Sequence, residues 1–203
     1  MSVVHIIDTL ADWAKQNICE HIQLKKAPEN LEAVDAEYAY ETVTPSVFPM
    51  YVPTSEKLPP NIHSPFPSLC VRFIKGSDSL PSSKGFVDVQ FCFSAWNPGL
   101  HGRDVFHPNG DQTFHRQERG HVEYIRNSDG WRDVWNFVDT ALRAVESTTN
   151  IGGYVIDHET PIEFGPLTEQ EAIPDFYPLW FAWISFRVNY PLRRNNEDYQ
   201  KYL

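Results

Sequence analysis

The sequence predicts an α+β fold: an antiparallel sheet of about four main strands, two helices packed on one of its faces, and long Pro-rich and His-rich loops. Three observations predict it. Two segments repeat apolar residues at steps of three and four. Three others alternate apolar and polar residues with a period of two, and a fourth is a shorter broken strand. The strands come in pairs around single helices, which is not the alternating βα order of a Rossmann or barrel fold. At 203 residues the chain reads as one domain, 1–203, and its 13 Phe, 9 Tyr and 6 Trp supply ample core material.

The first helix follows Val3, Ile7, Leu10, Ala11, Ala14, Ile18 and Ile22, with polar residues opposite and Pro28 just beyond its end. From Ala27 to Glu56 the chain carries acidic residues and no Lys or Arg. Prolines then crowd residues 44–67, so the stretch 27–67 is expected to be a long loop in which only Val47 to Val52 makes a short edge strand. Leu69 to Lys75 and Phe86 to Phe93 alternate cleanly, and the GSDSLPSSKG between them is turn chemistry, so they pair as an antiparallel hairpin.

Residues 95–128 show no sustained period and are expected to be a second long loop. Ser128 or Asp129 is placed to cap a second helix marked by Trp131, Val134, Trp135, Val138, Leu142 and Val145. Gly152-Gly153 is a stop signal. Tyr154 to Phe164 is a strand broken by Pro161, and Leu179 to Tyr190 is a long aromatic strand. The charged tail 193–203 is expected to fray.

Charge and cysteine usage narrow the function. A formal charge of −10 argues against coating nucleic acid or adhering to an anionic membrane surface. Asp8 and Asp12 interrupt what would be a secretory leader, and Leu179 to Ile184 is too short an apolar run to span a bilayer. Three cysteines without CxxC spacing, Cys19, Cys70 and Cys92, read as buried, inert thiols.

The sharpest enzymatic candidates are His101, His107, His115 and His121, with Asp104 and Asp111. Convergent imidazoles and carboxylates could hold zinc or iron, but these spacings match no ligand motif, and polar loop histidines are the simpler reading. Asp129 and Asp133 lie one helical turn apart, where the helix dipole welcomes acids without catalysis. There is no GxSxG elbow and no phosphate-binding loop. No cofactor is called for, and the chain is not expected to be an enzyme. Trp131, Trp135, Trp180, Phe181 and Trp183 lack the basic groove of a base-stacking platform, so they read as core and interface packing.

Three segments together resemble the tail terminator, or tail completion, proteins of tailed bacteriophages and prophage tail-like particles. They are FVDVQFCFSAWNPG (86–99), GWRDVWNFVDTALRAV (130–145) and PIEFGPLTEQEAIPDFYPLWFAWISFRVNYP (161–191). The resemblance rests on a strand ending in an F-x-A-x-N-x-G-like turn, a G-W-x-D-V helix start, and an aromatic last strand preceded by acids and prolines. The Pro-rich segment 44–67 and the His-rich loop 100–127 are longer than that pattern.

The resemblance implies a structural virion protein without turnover. Copies would form a ring, of six subunits by the family's habit, that caps the tail tube and ends its polymerisation. The ring would dock the head–neck connector protein and let DNA pass without specific binding. Assembly would take place in the host bacterial cytoplasm, without a membrane. Trp96, Phe181 and Trp183 are the subunit-interface candidates. Glu29, Glu32, Asp35, Glu37 and Glu41 are candidates for an acidic lumen that repels phosphate. The alternatives are another phage structural or neck module of the same fold, and a metal-dependent enzyme using loop 101–121.

Overall fold

The computed structural model describes residues 2–27, 41–62, 64–97, 99–100, 106–108, 114–116, 125–126, 130–169 and 172–192. Helix α1 (Val3–Asn17) is capped by Ser2, whose hydroxyl accepts a bond from the Val4 amide at 3.2 Å. Its buried stripe is Ile6, Ile7, Leu10 and Ala14. The helix ends earlier than the expected Ile22, giving way to a 3-10 turn at Cys19–His21.

Strands β1 (Leu24–Lys25) and β2 (Thr42–Val43) then form a small antiparallel sheet. Strand β3 (Ser46–Pro49) falls within the stretch expected to make an edge strand, and it pairs parallel to β4 (Ser68–Ser79). The proline-rich connection between them, which holds a cis Phe66-Pro67 bond, is long enough for a parallel crossover. Pro49 cannot donate to a ladder, which suits an edge position. Strand β5 (Lys84–Trp96) completes the expected hairpin with β4.

Beyond it, β6 (Gly99–Leu100) pairs with β9 (Ile125–Arg126), and β7 (Phe106–Pro108) with β8 (Phe114–Arg116). Thus part of the stretch 95–128, expected to be loop, is strand. Helix α2 (Trp131–Ser147) starts at an N-cap Gly130, and the expected caps Ser128 and Asp129 lie outside the described residues.

The last strands are β10 (Asn150–Ile151), β11 (Tyr154–Ile156), β12 (Glu163–Pro166) and β13 (Leu179–Pro191). Pro161 falls in the break between β11 and β12, as expected. Gly152 and Gly153 do not stop the helix. They form the two-residue turn between β10 and β11, with φ of 59° and 96° that only glycine adopts freely.

The expected α+β fold, a four-stranded antiparallel sheet with two helices on one face, is overturned. The protein is mostly sheet, with two α-helices among the described residues. Its main sheet has seven strands and is mixed, running β10-β11-β13-β5-β4-β3 with β12 also paired to β13. The physical reason is length. Strands of two to four residues are too short to display a period, and their pairings are set by remote partners.

The longest pairing joins β13 to β5, from Leu179 opposite Trp96 to Pro191 opposite Lys84. Val87, Val89, Phe91 and Phe93 of β5 and Ala182, Ile184, Phe186 and Val188 of β13 share one face and are buried. They join the apolar stripes of α1 and α2 in a single core, where Phe137 meets Phe93 edge-on at 4.9 Å.

Candidate functional site

The opposite sheet face is polar toward the Pro191 end of β13 and aromatic toward its Leu179 end. At the polar end Arg187 grips Asp88 with two bonds, of 2.7 and 3.1 Å, and its guanidinium lies 3.8 Å from the Phe86 ring centre. The hydrogen bond from Arg187 holds the Asp88 carboxyl below its ordinary range. At the aromatic end Phe181 meets Phe66 and Phe176 edge-on, and the Trp183 indole donates to the Pro166 carbonyl at 3.0 Å.

Beside that aromatic end lies a half-open cleft of about 640 Å³ at the sheet edge. One wall is the first turn and a half of α2. Trp131 and Trp135 are one turn apart and so share a side of the helix, with Val134 between them. The second wall is the segment from Ile173 to Tyr177. The Asp175 carboxylate accepts from the Tyr177 amide at 3.1 Å, and the Leu179 amide donates to the Phe176 carbonyl at 2.8 Å. Leu179, Trp180 and Phe181 form the floor.

The cleft is apolar and its rim is exposed. Trp131, Leu167, Ile173 and Phe176 line it with much of their surface in water, and exposed Phe164 meets Trp135 edge-on. Arg132 is 4.8 Å from the Trp131 ring centre. Sequence reasoning found the tryptophans but missed Leu167, Ile173 and Phe176. The available signal was large apolar residues recurring in a segment otherwise rich in acids and prolines.

A polar knot holds the cleft's back wall. Asn97 accepts from Lys25 Nζ through Oδ1 and donates to Asp133 Oδ2 through Nδ2, both at 2.7 Å. Its amide donates to the Pro178 carbonyl at 2.9 Å, and its own carbonyl accepts from the Trp180 indole at 3.1 Å. Burial lowers the Lys25 pKa, and the Asp133 charge opposes that shift. Asp133 therefore serves as a clamp on the start of α2. Gly130 admits this approach, because a Cβ there would collide with the Trp180 indole nitrogen.

The other expected residues fall partly within the described residues. Trp96 is 1 % exposed and packed inside the chain's own core, which removes it as an interface candidate, whereas Phe181 and Trp183 keep partial exposure. His101 and His121 lie outside the described residues, as do Asp104, Asp111 and Asp129. His107 and His115 stand opposite one another in the β7–β8 register. Among the described residues no three His, Cys, Asp or Glu groups converge where they could hold a metal ion. Glu29, Glu32, Asp35 and Glu37 lie outside the described residues, while exposed Glu41 pairs with Lys26 at 2.9 Å. The tail 193–203 is likewise outside them. Among the described residues no helix is long and apolar enough to cross a membrane. Burial pushes the Cys19 and Cys70 thiols up to about 12 and raises that of Cys92.

No protein-family model matches the chain, and no curated protein matches it.

Proposed function

We propose that this chain is a structural assembly subunit of the tail terminator kind. Copies of it form a ring, six-membered by analogy with the proteins it resembles, that caps a phage tail tube, ends tube growth and offers a docking surface to the head–neck connector. The observation that carries the reading is the exposed apolar rim of the cleft, Trp131, Leu167, Ile173 and Phe176, extended by exposed Phe164 against Trp135. A contiguous apolar surface of this kind is costly in water and marks a contact with another protein surface. The formal charge of −10 supports a lumen through which DNA slides without sticking.

Light scattering coupled to size exclusion, followed by negative-stain imaging, tests this reading. A discrete species near six subunits with a central hole is expected, formed alone or on tube ends. A chain that remains monomeric and fails to bind purified tail tubes overturns it.

A further inference from the structure

We infer that the cleft receives the β4–β5 hairpin tip of a second copy of this chain, with Leu80 as the inserted side chain; this rests on the ring-subunit reading above. Leu80 is 81 % exposed, the most exposed large apolar side chain among the described residues. The tip holds it in a formed turn. The Ser83 amide donates to the Leu80 carbonyl at 3.2 Å, and the Leu192 amide donates to the Ser83 carbonyl at 2.9 Å, tying the turn to the end of β13. A rigid apolar knob of this kind loses little entropy on docking.

Knob and cleft sit at opposite poles of one sheet. The tip lies next to Lys84, which pairs with Pro191, and the cleft floor is Leu179 to Phe181, where Leu179 pairs with Trp96. The thirteen residues of β13 separate them by about 40 Å at the usual rise of a strand. A hairpin cannot fold back over that distance onto its own cleft. A knob at one pole and a hole at the other give a heterologous, head-to-tail contact, the kind that closes into rings.

Charge agrees with this pairing. Lys84 is the one charged residue of the tip 79–84, and Asp175 is the charged residue among those lining the cleft. Arg132 over Trp131 is the cation on the helical wall.

The test uses two full-length variants, Leu80→Asp, which spoils the knob, and Ile173→Asp, which spoils the hole. Ile173 is 71 % exposed, so both changes are tolerated by the fold, and circular dichroism checks this. Each variant alone is expected to associate at least about tenfold more weakly than the parent chain. Mixed together they retain one good knob and one good hole, so light scattering should show a 1:1 dimer that grows no further. The contact is overturned by either variant assembling like the parent, or by a mixture that stays monomeric while the parent forms rings. In both, the ring reading survives with a different interface. A parent chain that is monomeric at every concentration also overturns the contact, and the ring reading is then decided by binding to tube ends.

Discussion

Tyr190 reaches over Gly85 to donate its hydroxyl hydrogen bond to Asp78 at 2.6 Å, linking β13 to β4 across the intervening strand β5. The bond exists because Gly85 has no side chain. A Cβ there would lie 2.6 Å from the Asp78 carboxylate and 2.7 Å from the Tyr190 ring. Replacing Gly85 with Ala should therefore force the ring aside and cost about 1–3 kcal/mol, the range for overpacking a filled site. Urea denaturation should show a lower midpoint with an unchanged slope. Tyr190→Phe should cost less, because it keeps the ring and loses only the bond.

The Asp88–Arg187 pair makes stability depend on pH in one direction. The Asp88 pKa is depressed in the folded chain, chiefly by its hydrogen bond from Arg187. Its contribution is complete above the carboxylate pKa of an unfolded chain, about 4, and is lost as pH falls through the lower folded value. In Arg187→Met the melting temperature should drop near neutral pH, and the gap to the parent should narrow as both are acidified below about pH 4. A gap that stays constant down to strong acid would show that the pair contributes packing rather than charge.

The thiols should be inert while the chain is folded. Cys70 and Cys92 face one another in the β4–β5 register, yet burial raises the Cys70 thiol to about 12, as it does Cys19, and raises Cys92 as well. Since the thiolate is the reactive form, iodoacetamide at about pH 8 should label none of the three on the timescale that labels a free thiol. All three should react in urea. Rapid native labelling of Cys92 would mean that the outer face of the sheet opens.

The elements that carry their own period were legible in the sequence: the buried stripe of α1, the hairpin of β4 and β5, the apolar side of α2 and the alternation of β13. What was not legible depends on partners far away in the chain. Trp183 pairs with Cys92, and Val47 with Leu69 in parallel, and no local pattern names either partner. Gly152-Gly153 reads as a helix stop in the sequence but is a hairpin turn, because both signals need the same positive φ. Half of the cleft was legible. Trp131 and Trp135 announce themselves by helical spacing, while Ile173 and Phe176 sit in a segment whose prolines and acids read as loop. Asn97 stands in the sequence only as the N of an F-x-A-x-N-x-G-like turn, and its bridging role appears only when β1, α2 and β13 converge on it.

That convergence yields the last prediction. Asn97 uses four polar groups at once, on Lys25, Asp133, the Pro178 carbonyl and the Trp180 indole, although only the first two bonds belong to its side chain. Asn97→Ala keeps both backbone bonds and removes the bridge between a half-buried ammonium and a carboxylate. Leaving these groups without their shared partner should cost about 1–3 kcal/mol. Asn97→Asp should behave differently: a carboxylate still accepts from Lys25 but faces Asp133 with like charge, so its penalty should shrink on acidification, whereas that of Asn97→Ala should not. Because α2 starts at this clamp, both variants should also loosen the Trp131 wall and shift tryptophan emission toward longer wavelength. Variants as stable as the parent, with unchanged emission, would show that Gly130 and the apolar contacts of Val134 hold the helix start without the knot.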